Sequence, residues 1–130
     1  TWGVQNRTTA IRVINDTPDT TRIEFRVPSA DVNPHSALAM CIAAGLWGID
    51  NQITPPAQCD YDCYATHGPS EAQFPRDLTA AANRLAASDT ARAIFGDEFI
   101  QNYSFVCRQE DMSYRKAVSS WERQRYLEIV

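Results

Sequence analysis

Three charged residues alternate with apolar ones in a short segment near the amino terminus. Arg22, Glu24 and Arg26 are separated by Ile23 and Phe25. Because successive side chains of a β-strand point to opposite faces, a strand here would place one carboxylate between two guanidinium groups, with neighbours about 6.6–6.8 Å apart. Carboxylates bind Mg²⁺, and guanidinium groups bind phosphate or carboxylate oxygens. The pattern indicates either a site for a metal-bound anion or a solvated sheet face with alternating charges.

Two further arginines precede this segment. Arg7 and Arg12 bring the count to four arginines and one glutamate within twenty residues. Their spacing of five puts them on opposite faces of a regular strand, so either Arg7 lies before the strand or a bulge intervenes. Four guanidinium groups converging on one carboxylate would repel one another unless an anion joined them. A nucleotide triphosphate with Mg²⁺ fits this requirement. Because the sequence has no G-x-x-x-x-G-K loop, side chains would bind the phosphates.

Composition limits the classes of function. The chain has 130 residues, 44% of them hydrophobic, which is typical of one globular domain and excludes intrinsic disorder. A net charge of −4 argues against a nucleic-acid partner. The most apolar run, Ala37 to Ile49, is too short to span a bilayer and predicts a buried helix, so no membrane association is expected. Eleven of the twelve basic residues are arginine, which favours an anionic ligand.

The pattern of elements predicts an α+β fold. Two strands, Thr8–Ile14 and Thr21–Val27, are joined by turn-forming residues and are expected to pair antiparallel and carry the Arg/Glu site. A mainly helical carboxyl-terminal portion follows. Its first helix begins at Asn33 and is apolar nearly all round, so it should be central in the core. The helices are expected to wrap round it and to cover the apolar face of the second strand, Ile23, Phe25 and Val27.

Capping residues mark the later helices. Asp77 is a helix N-cap, Gly96 ends a short helix, and Ser119 with Glu122 forms a capping box. Between them, one amphipathic helix is predicted with an apolar face formed by Phe99, Tyr103, Val106 and Cys107.

Three potential metal ligands follow one another in an irregular segment. Cys59, Cys63 and His67 form a C-x3-C-x3-H pattern. A structural zinc site uses four ligands and usually a C-x2-C pair, so the alternative is a mobile loop that carries two thiols. Cys41 lies in the apolar run and is expected to be a small core residue.

Seven motifs are spread along the whole chain. They are N-R-T-T-A-I-R at 6–12, R-I-E-F-R at 22–26, A-D-V-N-P at 30–34, A-A-G-L-W-G-I at 43–49, F-P-R-D-L at 74–78, F-G-D-E-F at 95–99 and W-E-R-Q-R-Y at 121–126. In order and spacing, these motifs resemble those of the glutamine synthetase family.

The resemblance implies a role for each charged residue. Glu24 matches a ligand of a divalent metal, Mg²⁺ or Mn²⁺, near the nucleotide phosphates. Arg7 and Arg26 match the catalytic and substrate-binding residues: Arg7 contacts the transferred phosphate, and Arg26 contacts phosphoryl oxygens and the glutamate side. Arg12 and Arg22 match residues that, with Arg7, bind the phosphates of ATP.

The resemblance also implies a reaction. ATP phosphorylates the γ-carboxylate of glutamate, and ammonia or a larger amine then displaces the phosphate; the last motif is somewhat closer to the polyamine and amine ligases. Residues 1–130 match the carboxyl-terminal segment of the catalytic domain, without the rest of that domain or the amino-terminal β-grasp domain. The family's site lies between subunits of a homo-oligomeric ring, so this segment alone is expected to be inactive. A cytoplasmic location is expected. The alternative is a non-catalytic family member with a structural or regulatory role.

Overall fold

The structure is a computed structural model that describes residues 1–65 and 73–129. It comprises two compact units, residues 1–69 and 70–130. The first contains three short strands and a long helix, and the second contains four helices. The α+β class and the mainly helical carboxyl-terminal portion are thus confirmed.

The first unit is built on a three-stranded sheet. Its strands are β1 (Trp2–Val4), β2 (Ile11–Ile14) and β3 (Arg22–Phe25), in that spatial order. β2 and β3 pair antiparallel, as the sequence predicts. The short strand β1 pairs parallel with β2, which the sequence analysis does not anticipate.

The connection between β1 and β2 is unusually short for parallel strands. Parallel neighbours normally need a crossover of a dozen or more residues, but here residues 5–10 suffice. β1 is only three residues long, so the chain has to return over about 10 Å. Gln5 makes the reversal in a left-handed conformation, with φ of 53°, and its backbone N–H donates to the Val13 carbonyl at 2.9 Å. The segment that contains Arg7 therefore runs back alongside β1.

The register of β2 and β3 sets which charged residues meet. Arg12 lies directly opposite Glu24, and Ile11 lies opposite Phe25. One turn of 3₁₀ helix, Pro18–Thr20, lies within the connection between the two strands. Beyond the end of β3, the Arg26 N–H still donates to the Ala10 carbonyl at 2.8 Å, so the pairing continues by one hydrogen bond.

Helix α1 (Pro34–Asp50) begins where the sequence predicts. The Asn33 side chain accepts hydrogen bonds from the N–H groups of His35 and Ser36, and Pro34 occupies the first turn. No helix in residues 1–65 or 73–129 is long and apolar enough to cross a membrane.

The expectation that this helix is central in the core is wrong. No residue of α1 is buried, and Cys41, expected in the core, is half-buried. The apolar residues lie all round the helix, so burial would need partners on every side. Among residues 1–65, the other regular elements are three short strands and one turn of 3₁₀ helix.

The apolar face of β3 is also uncovered, against expectation. Ile23 is 69% exposed and Phe25 48% exposed, whereas Glu24 is the least exposed residue of the strand. The alternation is as predicted. The coverage differs because none of the described residues 1–65 buries Ile23 or Phe25, so this face of the sheet has no second layer from that part of the chain.

The second unit consists of four consecutive helices. They are α2 (Leu78–Ala86), α3 (Asp89–Phe95), α4 (Asp97–Lys116) and α5 (Ser120–Tyr126). The predicted cap at Asp77, the stop at Gly96 and the Ser119–Glu122 capping box are all confirmed.

The predicted helix α4 is confirmed, but its fully buried residues lie beside the predicted apolar face. Of that face, Tyr103 and Cys107 are half-buried, whereas Phe99 and Val106 are exposed. The buried residues are Ile100, Ser104 and Asp111. The buried residues Ile100 and Ser104 each follow a residue of the predicted face by one position. Side-chain periodicity does not separate two helix faces that lie so close together, so the sequence does not show which of them packs against α2.

A buried carboxylate ties α2 to α4. Asp111 is 8% exposed and accepts hydrogen bonds from Thr79 Oγ1 at 2.6 Å and from Arg115 Nε at 2.7 Å. Arg115 also lies 3.7 Å from a carboxylate oxygen of Asp77, the N-cap of α2. The hydrogen bond from Thr79, followed by those from Arg115, lowers the pKa of Asp111.

The lowered pKa predicts an acid-sensitive second unit. Folding favours the Asp111 carboxylate, so its stabilising contribution is complete above the ordinary pKa of about 3.9 and is lost as the pH falls through the lower native pKa. Asp111→Asn should therefore lower the thermal midpoint at pH 7 by about 5 °C. The difference from the unsubstituted chain should shrink below about pH 4.

Glu110→Gln is the matched control, because Glu110 is an exposed neighbour on the same helix. Thermal unfolding followed by circular dichroism between pH 2.5 and 7 measures both variants. A pH-independent difference for Asp111→Asn would contradict the assigned role.

Candidate functional site

Glu24 lies between two guanidinium groups. Arg12 Nη1 donates to Glu24 Oε2 at 3.2 Å, and Arg22 Nη2 lies 3.7 Å from Glu24 Oε1. Arg12 reaches the carboxylate across the strand pair because the register places the two residues opposite each other. Arg22 reaches it along β3 from two residues earlier. Two guanidinium groups do flank the carboxylate, but one is Arg12 rather than the predicted Arg26.

Arg12 is the most constrained of the four arginines. Its side chain is 16% exposed, and Nη2 donates to Gln5 Oε1 at 2.6 Å. Gln5 Nε2 in turn donates to Asp16 Oδ1 at 2.8 Å. Arg12 Nε is buried and has no hydrogen-bond partner among the described residues. The guanidinium is thus fixed in orientation while part of its donor capacity is unused.

Arg26 and Arg7 form a second pair beside the first. Arg26 Nη2 donates to the backbone carbonyl of Arg7 at 2.8 Å. Arg7 precedes β2 within the connection from β1, so the first of the two alternatives for its odd spacing is correct and no bulge is needed. Both side chains are exposed. Their guanidinium groups are therefore accessible to an anion.

The Arg7 segment is braced by its neighbours in sequence. Asn6 Nδ2 donates to the carbonyls of Cys59 and Tyr61, at 3.1 and 2.9 Å. Asn6 Oδ1 accepts from the Thr8 N–H at 2.9 Å, and Thr8 Oγ1 accepts from the Cys63 N–H at 2.9 Å. Three of these four bonds join residues more than fifty positions apart. An open depression with a volume of about 590 Å³ lies between this segment and residues 58–62, and Arg7 lines it.

The sequence analysis assigned no role to Gln5, Asn6 and Thr8. Asn6 could have been noticed, because asparagine often fixes turns through its side chain. Gln5 carries no such signal, since its left-handed conformation is atypical of glutamine.

The assembled site can bind an anion and contribute to a metal site. The guanidinium groups of Arg12 and Arg22 contact the single carboxylate, and that of Arg26 contacts the Arg7 backbone. The described residues contain no cluster of three metal-ligating side chains. Mg²⁺ is commonly bound through one or two carboxylates together with substrate phosphates. The donor set of Glu24 with surrounding arginines therefore fits a metal–phosphate complex and does not form a metal site by itself.

The zinc hypothesis receives no support from the described residues. His67 lies outside them, and Cys59 and Cys63 are free thiols. The other prediction, a loop that carries two thiols, is correct, but residues 59–63 are fixed by hydrogen bonds to Trp2, Asn6 and Thr8 rather than loose.

Comparison with known proteins decides the family. A family model described as the glutamine synthetase catalytic domain matches residues 1–126. The chain belongs to the glutamine synthetase family. Enzymes of this family are carbon–nitrogen ligases that use ATP and divalent metal ions.

Curated relatives include glutamine synthetases and glutamate–amine ligases. The chain is 38% identical to type-1 glutamine synthetase 2 of Dictyostelium discoideum, over 100% of this chain and 25% of that protein. It is 33% identical to a glutamate–isopropylamine ligase of a Pseudomonas species, over 99% and 28%. It is 38% identical to a gamma-glutamylethanolamide synthetase of Streptomyces coelicolor, over 98% and 27%. The chain thus spans about a quarter of the length of these relatives.

A solved structure confirms that the fold is of the glutamine synthetase type. The structure titled "Apo GmaS without ligand" matches with a TM-score of 0.75 at 28% identity. The match covers 98% of this chain and 29% of that one.

The contacts of Asn6 predict how the Arg7 segment responds to substitution. Asn6→Ala removes the two hydrogen bonds that the side-chain amide donates to the carbonyls of Cys59 and Tyr61. It also removes the acceptor for the Thr8 N–H. Each such bond contributes about 1 kcal/mol, so amide hydrogen exchange at Thr8 and Cys63 should accelerate about tenfold or more.

Asn102→Ala serves as the control, because Asn102 is exposed on α4 in the other unit. Hydrogen exchange resolved by residue compares the two variants. Unchanged exchange at Thr8 in Asn6→Ala would show that Asn6 does not brace the segment.

Proposed function

We propose that the protein to which this chain belongs ligates an amine to the γ-carboxylate of glutamate at the expense of ATP. In the first step the γ-carboxylate attacks the terminal phosphoryl group of ATP, giving γ-glutamyl phosphate and ADP. In the second, ammonia or a larger amine attacks the acyl carbon, and phosphate leaves.

The observation that carries this proposal is the position of Glu24 between Arg12 and Arg22. Phosphoryl transfer depends almost entirely on positioning and on stabilising the charge that spreads over the phosphoryl oxygens. A carboxylate for the metal, surrounded by fixed guanidinium groups, supplies both requirements. The chain also belongs to a family of carbon–nitrogen ligases.

Each charged residue has a role in this proposal. Glu24 would hold a divalent metal, Mg²⁺ or Mn²⁺, which supplies a positive charge to the phosphate oxygens when bound. Arg12 and Arg22 would bind the phosphates of ATP, because the phosphate oxygens would compete with Glu24 for the two guanidinium groups. Arg7 would stabilise the charge of the transferred phosphoryl group. Arg26 would bind phosphoryl oxygens and the glutamate side, anchored through the Arg7 carbonyl.

The chain would provide one wall of the complete site. We infer that residues 1–130 correspond to the carboxyl-terminal part of the catalytic domain, since their motifs resemble those of that part of the family's catalytic domain. The chain matches 25–28% of the three relatives named above. The remaining metal ligands, the rest of the glutamate site and the adjacent subunits of a homo-oligomeric ring would complete it in the cytoplasm. On this proposal residues 1–130 alone do not catalyse.

The relatives differ in the amine that their names specify. Two are a glutamate–isopropylamine ligase and a gamma-glutamylethanolamide synthetase, and another is a glutamine synthetase. A larger amine is favoured by the two amine-specific relatives.

A non-catalytic role is disfavoured by the cost of the charges. Arg12 is mostly buried, with one donor unpartnered among the described residues. Without a ligand to bind, such a residue would be destabilising and easily replaced by an apolar one.

Glu24→Gln tests the metal-binding role. The amide keeps the shape of the side chain but removes the charge that a divalent metal requires, so phosphate release should fall about 100-fold or more. The assay uses the whole protein with Mg-ATP and glutamate, adding ammonia, isopropylamine, ethanolamine or putrescine in turn.

Glu110→Gln, the same substitution at an exposed position of α4, should retain full activity. If Glu24→Gln is as active as Glu110→Gln, the metal-binding role of Glu24 is wrong. If the unsubstituted, folded protein releases no phosphate with any amine, the ligase proposal itself fails.

Arg26→Lys tests whether the forked shape of the guanidinium matters. Lysine preserves the charge but cannot donate to the Arg7 carbonyl and to a ligand in the same fixed geometry. The value of kcat/KM should therefore fall about 10- to 100-fold.

Arg76→Lys is the matched control, since Arg76 is exposed in the second unit. Initial rates at varied glutamate concentration measure both variants. Equal kcat/KM values would remove Arg26 from the site.

A further inference from the structure

A chain of polar contacts runs from Asp16 to Glu24 through Gln5 and Arg12. Gln5 Nε2 donates to Asp16 Oδ1 at 2.8 Å, and Gln5 Oε1 accepts from Arg12 Nη2 at 2.6 Å. Arg12 Nη1 donates to Glu24 Oε2 at 3.2 Å. The guanidinium of Arg12 is therefore held from two sides, by the carboxylate of Glu24 and by the amide of Gln5, and the bond to the amide is the shorter of the two.

The neighbours of Gln5 fix the orientation of its side-chain amide. A guanidinium group only donates hydrogen bonds, and a carboxylate only accepts them. The Gln5 oxygen must therefore face Arg12 and its nitrogen must face Asp16, because the reverse orientation would lose both bonds. Asp16 thus holds the amide that holds Arg12.

The backbone of Gln5 adopts a conformation that costs free energy. Its φ of 53° lies in the left-handed region, which favours glycine and asparagine over glutamine. Its N–H donates to the Val13 carbonyl at 2.9 Å, so the turn is fixed to β2, the strand that carries Arg12. Glycine would relieve the strain at this position, and the presence of a long polar side chain instead indicates that the side chain has a use.

The bond to Gln5 becomes decisive when Glu24 serves a metal. In the proposed function Glu24 would hold a divalent metal, and a carboxylate that shares its charge with a metal is a weaker acceptor for Arg12. Arg12 Nε has no partner among the described residues, and the hydrogen bonds of its two Nη groups go to Glu24 and Gln5. Gln5 would then be the remaining anchor that the described residues provide for this guanidinium.

We propose that Gln5 is a positioning residue that, together with Asp16, keeps Arg12 directed at the phosphates of ATP while Glu24 holds the metal. This inference rests on the proposed function. The neutral amide matters, because Gln5 orients the guanidinium without neutralising its charge. A carboxylate at position 5 would bind Arg12 more strongly, but it would also compete with the phosphates for it.

Exchanging the amide and the carboxylate tests this proposal. In the double variant Gln5→Glu, Asp16→Asn, the new amide can donate to the new carboxylate, which can accept from Arg12, so both hydrogen bonds and the net charge are kept. What changes is the distance between the negative charge and Arg12. We expect the thermal midpoint without ligands to stay unchanged, whereas the dissociation constant of Mg-ATP should rise about tenfold.

Gln5→Ala removes the anchor outright. Alanine relieves the left-handed backbone no better than glutamine does, so the loss of the side-chain amide is the main change. The KM for ATP should rise about fivefold, while the KM for glutamate stays within about twofold, because Arg12 is assigned to ATP and not to glutamate. Asp16→Asn should raise the KM for ATP less than Asp16→Ala does, since the asparagine oxygen can still accept from Gln5.

The measurements use the whole protein. Isothermal titration calorimetry gives the dissociation constant of Mg-ATP, initial rates at varied ATP and varied glutamate give the two KM values, and circular dichroism gives the thermal midpoint. Gln101→Ala and Gln101→Glu are the matched controls, because Gln101 is exposed on α4 in the second unit, and both should behave as the unsubstituted protein does.

Two results would overturn the positioning role and leave the proposed function intact in an active protein. One is a double variant that binds Mg-ATP as tightly as the unsubstituted protein. The other is a lower thermal midpoint in Gln5→Ala with equal rises in both KM values, which marks a merely structural role. If the unsubstituted, folded protein binds no Mg-ATP, the proposed function fails, and this inference fails with it.

Discussion

The pairing of Arg12 with Glu24 across β2 and β3 is the contact on which the site depends. It satisfies the carboxylate from the neighbouring strand and leaves Arg22 to approach from its own strand. A slip of one residue would turn Glu24 to the opposite face and leave Arg12 partly buried without its anion. The position of Arg26 follows from the same register, because its N–H continues the ladder by pairing with Ala10.

The sequence predicts the elements whose signals are local. The alternation of β3 and the capping side chains of Asn33, Asp77 and Ser119 are each set by neighbours within a few residues, and the structure confirms them. β1 is missed because a three-residue strand is too short to show a period. The sequence also singles out the five charged residues proposed for the site, but their pairing depends on the register, which no local pattern specifies.

Burial is the property that the sequence predicts least well. Alternation identifies Ile23 and Phe25 as one face, but it does not say what covers that face. The same holds for α1. Its apolar residues lie all round the helix, so they do not indicate which side packs against other elements. In the first unit, the sequence predicts the surroundings of the charged face of β3 better than those of its apolar face. Ion pairs and hydrogen bonds require specific partner groups, whereas apolar burial does not.

Gly3 gives the amino-terminal strand an evolutionary constraint. A Cβ at this position would lie 2.5 Å from the Cys59 carbonyl oxygen and 2.9 Å from Asn6 Cβ. No side chain fits unless the distant loop retreats, so position 3 and the loop can change only together. Anyone exchanging this loop between relatives would have to transfer the first strand with it, because Gly3 lies against Cys59 although 55 residues separate the two in the sequence.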